Sequence, residues 1–305
     1  MNTSGPRPRL AICVIEKDEL KYILEWLAFH LVVGVDGFLV FDNDSTDGTF
    51  EILNALAKHY PIECRSWPSV EGKSPQALAY AEAAKEAAGR YEFVAFIDSD
   101  EFLYFKDVAS LQDALASLDA STSAVAINQR VFGSSGRTSY DPEFVSTRFT
   151  RRAPVSYEEN HYFKTIARPE RVVRAETAHS FKLTEGAYAY SNGAPLGQEG
   201  GATTGRAPEV VDGPICLNHY ILKSFEEFKT KQQRGGGWGN SKAVRVSRYS
   251  DDGFFKWRDA FINSELDERL LQYRSQIMDK VREFISKLDA AEAAKVGGLY
   301  SFLKA

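Results

Sequence analysis

Phe93-Val94-Ala95-Phe96-Ile97-Asp98-Ser99-Asp100-Glu101 is the stretch that decides how this chain is read. Five apolar residues in a row make a strand covered on both faces, and the run stops abruptly at Asp98. Strands of that kind belong to mostly parallel sheets, where ligands bind beyond the carboxyl ends of the strands. An Asp-x-Asp pair in that position suits a hard divalent cation, Mn²⁺ or Mg²⁺, bridging diphosphate oxygens. The spacing alone is weak evidence, because a solvated turn or a helix cap produces it too.

The flanking sequence strengthens the reading. Leu10–Ile15 is a second apolar run, followed by Leu20, Ile23, Leu24, Leu27 and Leu31 at helical spacing. Gly37–Phe41 is a third, followed by the helical pattern of Phe50, Leu53 and Leu56, and Ile62–Trp67 is another strand. Ser74-Pro75 reads as an N-cap with proline at the first helical position, opening an Ala-rich helix to about Ala88. Strands alternating with helices predict an α/β fold around a mostly parallel sheet. Glu16, Lys17 and Asp18, then Asp42, Asn43 and Asp44, fall after the first two strands, so three acidic clusters land on one sheet edge. Within Asp42–Thr49, Asp44 or Ser45 is expected to cap the next helix and Gly48 to ease the turn. Asp42 and Asn43 are candidates for contact with a nucleobase or ribose.

The second half is less regular. Short strands are expected around Ala124–Val131, Lys164–Arg168 and Ile215–Ile221, while Gly186–Gly205 reads as a substrate-covering loop and Gly235-Gly236-Gly237 as a break. His219, at a strand end, is a candidate third metal ligand beside Asp98 and Asp100. Lys223, Lys229, Lys231 and Arg234 behind it could meet a diphosphate, the alternative being a solvated helix face. From Glu265 onward, Leu266, Leu270, Tyr273, Ile277, Val281, Phe284 and Leu288 form one long amphipathic stripe. Packing against the main domain is its expected fate, with homodimerisation or peripheral membrane contact as alternatives.

Composition narrows the classes. With 305 residues and a formal charge of −5, the chain offers no basic surface for nucleic acid. No apolar run approaches the roughly 20 residues of a membrane span and the start lacks a signal-peptide core, which predicts a cytoplasmic protein, with the inner face of the membrane as the alternative. Cys13, Cys64 and Cys216 show no metal spacing and read as reduced thiols in strands. Gly-x-Gly-x-x-Gly after the first strand, the P-loop pattern and Gly-x-Ser-x-Gly are all missing, which disfavours dinucleotide dehydrogenases, P-loop NTPases and α/β-hydrolases.

Taken in order, these segments resemble a known family. Glu16-Lys17-Asp18-Glu19…Glu25-Trp26-Leu27…His30…Gly34-Val35 and Phe41–Thr49 resemble the N-terminal signature of GT-A glycosyltransferases, closest to bacterial relatives of families 2 and 92. Phe96-Ile97-Asp98-Ser99-Asp100-Glu101-Phe102-Leu103 is similar to their metal motif, and Phe132–Gly136, Lys164–Pro169 and Asn218–Gly235 to the family 92 pattern. The resemblance implies a Rossmann-like GT-A fold and inverting transfer from a nucleotide-sugar, a UDP-sugar first among them, to a glycan or lipid-linked acceptor. It implies a catalytic domain over 1–240 (nucleotide part 9–130, acceptor part 131–240) and a helical extension over 241–305. Asp100 would be the main metal ligand, Asp98 would touch ribose or metal, and His219 would complete the metal site. Glu16, Asn43 and Gln76 would line the nucleotide pocket, with Lys17, Asp42, Lys164, Lys223, Lys231 and Arg234 as further substrate contacts. Asp18 stands where the family has Asn, and Asn43-Asp44 where family 2 has Asp-Gly, so base recognition is expected to differ in detail.

Inversion needs a general base for the acceptor hydroxyl, and Glu226, shortly after His219, is the choice among the downstream acids. A helix-dipole carboxylate is its competing structural explanation. Two rival functions are a haloacid-dehalogenase-type phosphotransferase, whose Asp-x-Asp follows its first strand rather than the fourth, and a non-catalytic nucleotide-sugar or glycan-binding module.

Overall fold

The computed structural model describes residues 7–197, 204–234 and 252–304. Thirteen strands are found among them: β1 (Leu10–Glu16), β2 (Gly37–Asp42), β3 (Ile62–Ser66), β4 (Phe93–Phe96), β5 (Glu101–Phe105), β6 (Thr122–Val131), β7 (Arg151–Arg152), β8 (Phe163–Ala167), β9 (Val172–Ala175), β10 (Phe181–Leu183), β11 (Ala187–Tyr190), β12 (Ile215–His219) and β13 (Glu265–Leu266). The helices are α1 (Ile23–Val32), α2 (Thr49–Ala57), α3 (Pro75–Ala87), α4 (Leu111–Ala116), α5 (Val145–Arg148), α6 (Phe225–Arg234), α7 (Asp252–Ile262), α8 (Arg274–Lys287) and α9 (Ala290–Gly297).

One mixed, mostly parallel sheet runs β3-β2-β1-β4-β8-β6-β12-β5, with β11 also paired to β6. Pairings are parallel through β3, β2, β1 and β4 and from β6 to both β11 and β12. They are antiparallel where β8 joins β4 to β6 and where β5 joins β12. The order β3-β2-β1-β4 is that of a doubly wound half, and its connections reverse between β1 and β4, which makes their carboxyl ends the switch-point crevice.

Alternation along each strand feeds two cores. Leu10, Ile12 and Val14 of β1 join α1, α2 and α8 on one face, while Ala11 and Cys13 join Ala79, Tyr80 and Ala83 of α3 on the other. Burial on both faces is why these strands read as continuous apolar runs. Ser74 caps α3, accepting from the backbone of Ala77 with Pro75 following, as expected.

Three segments differ from the sequence reading. The stretch 186–205, expected as a loop, contributes β11 to the sheet, paired along the first half of β6. Glu101–Phe105, read as the tail of a motif, is a strand in its own right. The C-terminal stripe is broken: Leu266 pairs with Arg151 and is 59% exposed, a 3₁₀ turn covers Arg269–Tyr273, and the helix proper begins at Arg274. Ile277, Val281 and Phe284 are wholly buried in the core shared with α1, so that apolar face is covered within the chain. No helix among the described residues is long and apolar enough to cross a membrane. The triple glycine at 235–237 lies outside the described residues.

Candidate functional site

The acids converge on the carboxyl edge of β1, β2 and β4. Glu16 and Asp42 stand side by side in the β1–β2 register and both are buried. The loops that follow are stitched together: Asp42 Oδ2 accepts the Ser45 N–H at 3.1 Å, and Asp18 Oδ1 accepts that of Thr46 at 2.6 Å. Lys17 is half-buried in the turn after β1. The expected cap of α2 by Asp44 or Ser45 is not formed. Asp44 occupies a left-handed turn with φ of 59°, which delays the helix, and Asp47 Oδ1 takes the Thr49 N–H at 3.0 Å behind Gly48, whose φ is 101°. Asn43 donates to the Trp67 carbonyl at 2.8 Å, so its amide braces β2 against the end of β3.

After β4 the chain reverses at once. Glu101 N–H donates to the Asp98 carbonyl at 3.0 Å and Glu101 Oε2 accepts the Asp98 N–H at 2.8 Å. This turn separates the two aspartates into different environments. Asp98 is held by Gln76 Nε2 at 2.9 Å and by Lys164 Nζ at 2.8 Å. Burial pushes the Asp98 carboxyl up, but Lys164 and His219 together outweigh it and leave it below the ordinary range. Lys164 is itself buried, yet Asp98 and Glu101 overcome that cost and raise its ammonium well above normal. Glu101, wholly buried, is pushed up to about 7 by desolvation, partly offset by Lys164.

Asp100 instead faces the second half of the chain. Antiparallel pairing of β5 with β12 sets His219 opposite Glu101, and the Tyr220 N–H bonds the Asp100 carbonyl at 2.9 Å. These contacts leave His219 Nε2 3.6 Å from Asp100 Oδ1, too long for a hydrogen bond. Lys231, on α6, ion-pairs with Asp100 Oδ2. Burial raises the Asp100 carboxyl, and Lys231, His219 and Lys223 together more than reverse it, holding it well below the usual range. Lys223 is buried with a left-handed φ of 56°, its ammonium over the Tyr22 ring at 4.4 Å, and desolvation lowers its pKa.

Of the residues singled out from sequence, Gln76, Asp98 and Lys164 thus form one constellation and Asp100, His219 and Lys231 another. Among the described residues no three acidic, histidine or cysteine side chains form a ready-made cation cage. Asp100 and His219 still fit a divalent cation: they are two donors facing across 3.6 Å, and a cation shared with substrate phosphates takes only one or two carboxylates plus such neighbours. Glu226 lies on the exposed side of α6, where Oε2 accepts the Tyr140 N–H at 2.9 Å, and none of its hydrogen bonds reaches either constellation. Its neighbour Glu227 is the buried one, bonded to Arg148 at 2.8 and 3.0 Å and to Ser224, Tyr22 and no aspartate of the edge. Arg234 ends α6, and its side chain lies outside the described residues.

Sequence reasoning passed over Gln129, whose Oε1 lies 2.7 Å from His219 Nδ1. The available signal was the polar run Asn128-Gln129-Arg130 directly after the apolar Ala124–Ile127, all three of them buried.

Residues 9–194 match the model of glycosyltransferase family 92. A family 92 protein of Oryza sativa subsp. japonica is 30% identical over 227 residues, 73% of this chain and 35% of that protein. One from Arabidopsis thaliana is 26% identical over 244 residues, 76% of this chain and 38% of its own length. The chain therefore spans between a third and two-fifths of the curated relatives it matches. Among solved structures, S. aureus TarS 1–349 in complex with UDP-GlcNAc aligns over 97% of this chain and 90% of its own, at 15% identity and a TM-score of 0.38. M. tuberculosis glucosyl-3-phosphoglycerate synthase with Mn²⁺ and UDP-glucose aligns over 40% and 44%, at 19% identity and 0.28. On its family match, this chain belongs to glycosyltransferase family 92.

Proposed function

We propose that this chain transfers a sugar from a nucleoside-diphosphate sugar, with uridine diphosphate sugars the first to test, to a hydroxyl of a glycan or lipid-linked acceptor, with inversion. The observation that carries the reading is the meeting of Asp100 with His219 and Lys231 beyond the carboxyl end of β4, at the switch point of the sheet. Asp100 and His219 would hold Mn²⁺ or Mg²⁺, which neutralises charge on a departing diphosphate. Lys231 and Lys223 supply cationic donors on the same side, and a diphosphate competes with Asp100 for Lys231. Asp98, oriented by Gln76 and Lys164, is left as an acceptor for ribose hydroxyls, with Glu16, Lys17, Asp42 and Asn43 along the adjoining strand ends. Glu226 is our candidate base, and a cytoplasmic location is the setting we favour, with the inner face of the membrane as the alternative.

A thermal-shift screen of nucleoside diphosphates with and without Mn²⁺ tests the donor half. Stabilisation that needs both components and disappears in Asp100→Ala supports it. No shift with any nucleotide overturns it. Release of free sugar or nucleotide from the donor, followed by chromatography, separates an enzyme from a binding module. Glu226→Gln addresses the base: a positioned base is worth about 10²–10⁴ in rate, so unchanged turnover removes Glu226 from that role.

A further inference from the structure

We infer that Gln129 is a positioning residue that locks His219 in the Nδ1–H tautomer and thereby keeps Nε2 open toward Asp100. The inference rests on the reading of Asp100 and His219 as the pair that holds the divalent cation.

Strand register brings the two side chains together. β12 pairs with β6 so that Leu217 aligns with Gln129 and His219 with Val131, which places His219 and Gln129 on the same face of the sheet. Gln129 Oε1 then lies 2.7 Å from His219 Nδ1, with both residues buried. Which end of the amide meets the ring is settled by its other partner. Gln129 Nε2 donates to the Glu159 carbonyl at 2.6 Å, and a carbonyl oxygen only accepts, so the NH₂ must point there and the oxygen must point to the imidazole. An amide oxygen cannot donate. Nδ1 therefore carries the hydrogen, and in the neutral ring Nε2 carries a lone pair.

That lone pair faces the Asp100 carboxylate at 3.6 Å, beyond hydrogen-bonding range. In the neutral ring, two acceptors opposed across such a gap repel one another unless a proton or a metal cation lies between them. Hydrogen bonding from the second ring nitrogen to an outer acceptor is how proteins orient a metal-binding histidine and raise its basicity. His30 shows the contrast within the same molecule. Its Nδ1 also bonds a carbonyl, that of Trp26 at 2.8 Å, but its Nε2 takes the Leu103 N–H at 3.1 Å. His30 is closed on both sides, whereas Gln129 closes only one side of His219.

The test uses the whole chain with Gln129→Met, which removes the acceptor, Gln129→Glu, which keeps one, and His219→Ala. Nitrogen-15 spectra of the metal-free protein at a pH where the ring is neutral, assigned by difference against His219→Ala, should show protonated Nδ1 and unprotonated Nε2 in the wild type. Gln129→Met should show a tautomer mixture. Mn²⁺ binding with saturating UDP, followed by the spin resonance of free Mn²⁺, should weaken about 10–100-fold in Gln129→Met. Gln129→Glu should stay nearer the wild type. A wild-type ring protonated at Nε2, or unaltered Mn²⁺ affinity in Gln129→Met while His219→Ala loses it, overturns the role of Gln129 alone. Unaltered affinity in His219→Ala overturns the cation reading itself, and with it the role of Gln129 toward the metal.

Discussion

The strands up to β5 bring acids to the sheet edge, and the segments after Val131 bring cations and imidazole. Glu16, Asp42, Asp98 and Asp100 sit at the ends of strands whose apolar runs are visible by eye, and their places follow from the doubly wound order. Lys164, Lys223, Lys231 and His219 come from β8, from a strained turn, from α6 and from β12, elements with no common period. The first half therefore presents charge by topology alone, while the second must be folded against it before any cation reaches an acid. Perturbing each half separately shows whether this division is one of function or only of origin.

Removal of Asp100 should have the largest effect. Asp100→Ala should abolish the Mn²⁺-dependent stabilisation by UDP and lower transfer on the order of a thousandfold, the scale of losing one electrostatic anchor of the departing group. Thermal shift and turnover on the same preparation measure both. Retained stabilisation would mean that the acidic half does not organise the site.

Two lysines of the second half should then behave unlike each other. Lys164 is buried between Asp98 and Glu101, at 2.8 and 3.5 Å. Lys164→Met leaves the buried Glu101 and the half-buried Asp98 without their counter-charge, so urea unfolding should show a loss of about 3 kcal/mol. Lys231 is 31% exposed, although the Asp100 it pairs with is buried, so Lys231→Met should cost less stability than Lys164→Met while weakening UDP binding about tenfold, read by titration calorimetry. Equal stability losses in the two variants would make both lysines structural and erase the distinction.

Legibility in the sequence divides along the same line. Leu10–Ile15 and Phe93–Ile97 were readable because burial on both faces forces every residue to be apolar. Lys164 sits in Phe-Lys-Thr-Ile-Ala, where local pattern gives only a strand, and its role depends on β8 being inserted antiparallel beside β4. β11 was hidden because Ala187-Tyr188-Ala189-Tyr190 lies among glycines and small residues that resemble a loop. Gln129 is a neutral amide whose importance exists only once β12 lies alongside β6. The acidic edge could be predicted one strand at a time. The pairing of acids with their cations is a property of the whole sheet.

The smallest expected effect concerns the other buried histidine, and it sharpens the contrast with His219. Burial lowers the His30 pKa from the usual 6.5 to about 3, against a small opposing effect from the Trp26 carbonyl. A proton on Nε2 would also set two donors, the ring and the Leu103 N–H, against each other. Below pH 6.5 the unfolded chain binds a proton at this residue that the native protein refuses, so its contribution to stability falls as pH drops from 6.5 toward 3. The slope from one such group reaches about 1.4 kcal/mol per pH unit. Glu25 and Glu101, both raised to about 7 by burial, have the opposite sign, since the native protein binds their protons first and gains stability as pH falls from 7 to 4.5. The informative quantity is thus the difference between the wild type and His30→Gln in urea midpoints from pH 7 to 5. That difference should favour the wild type most at pH 7 and shrink with acid; a constant difference would show that His30 does not resist protonation as its two closed nitrogens require.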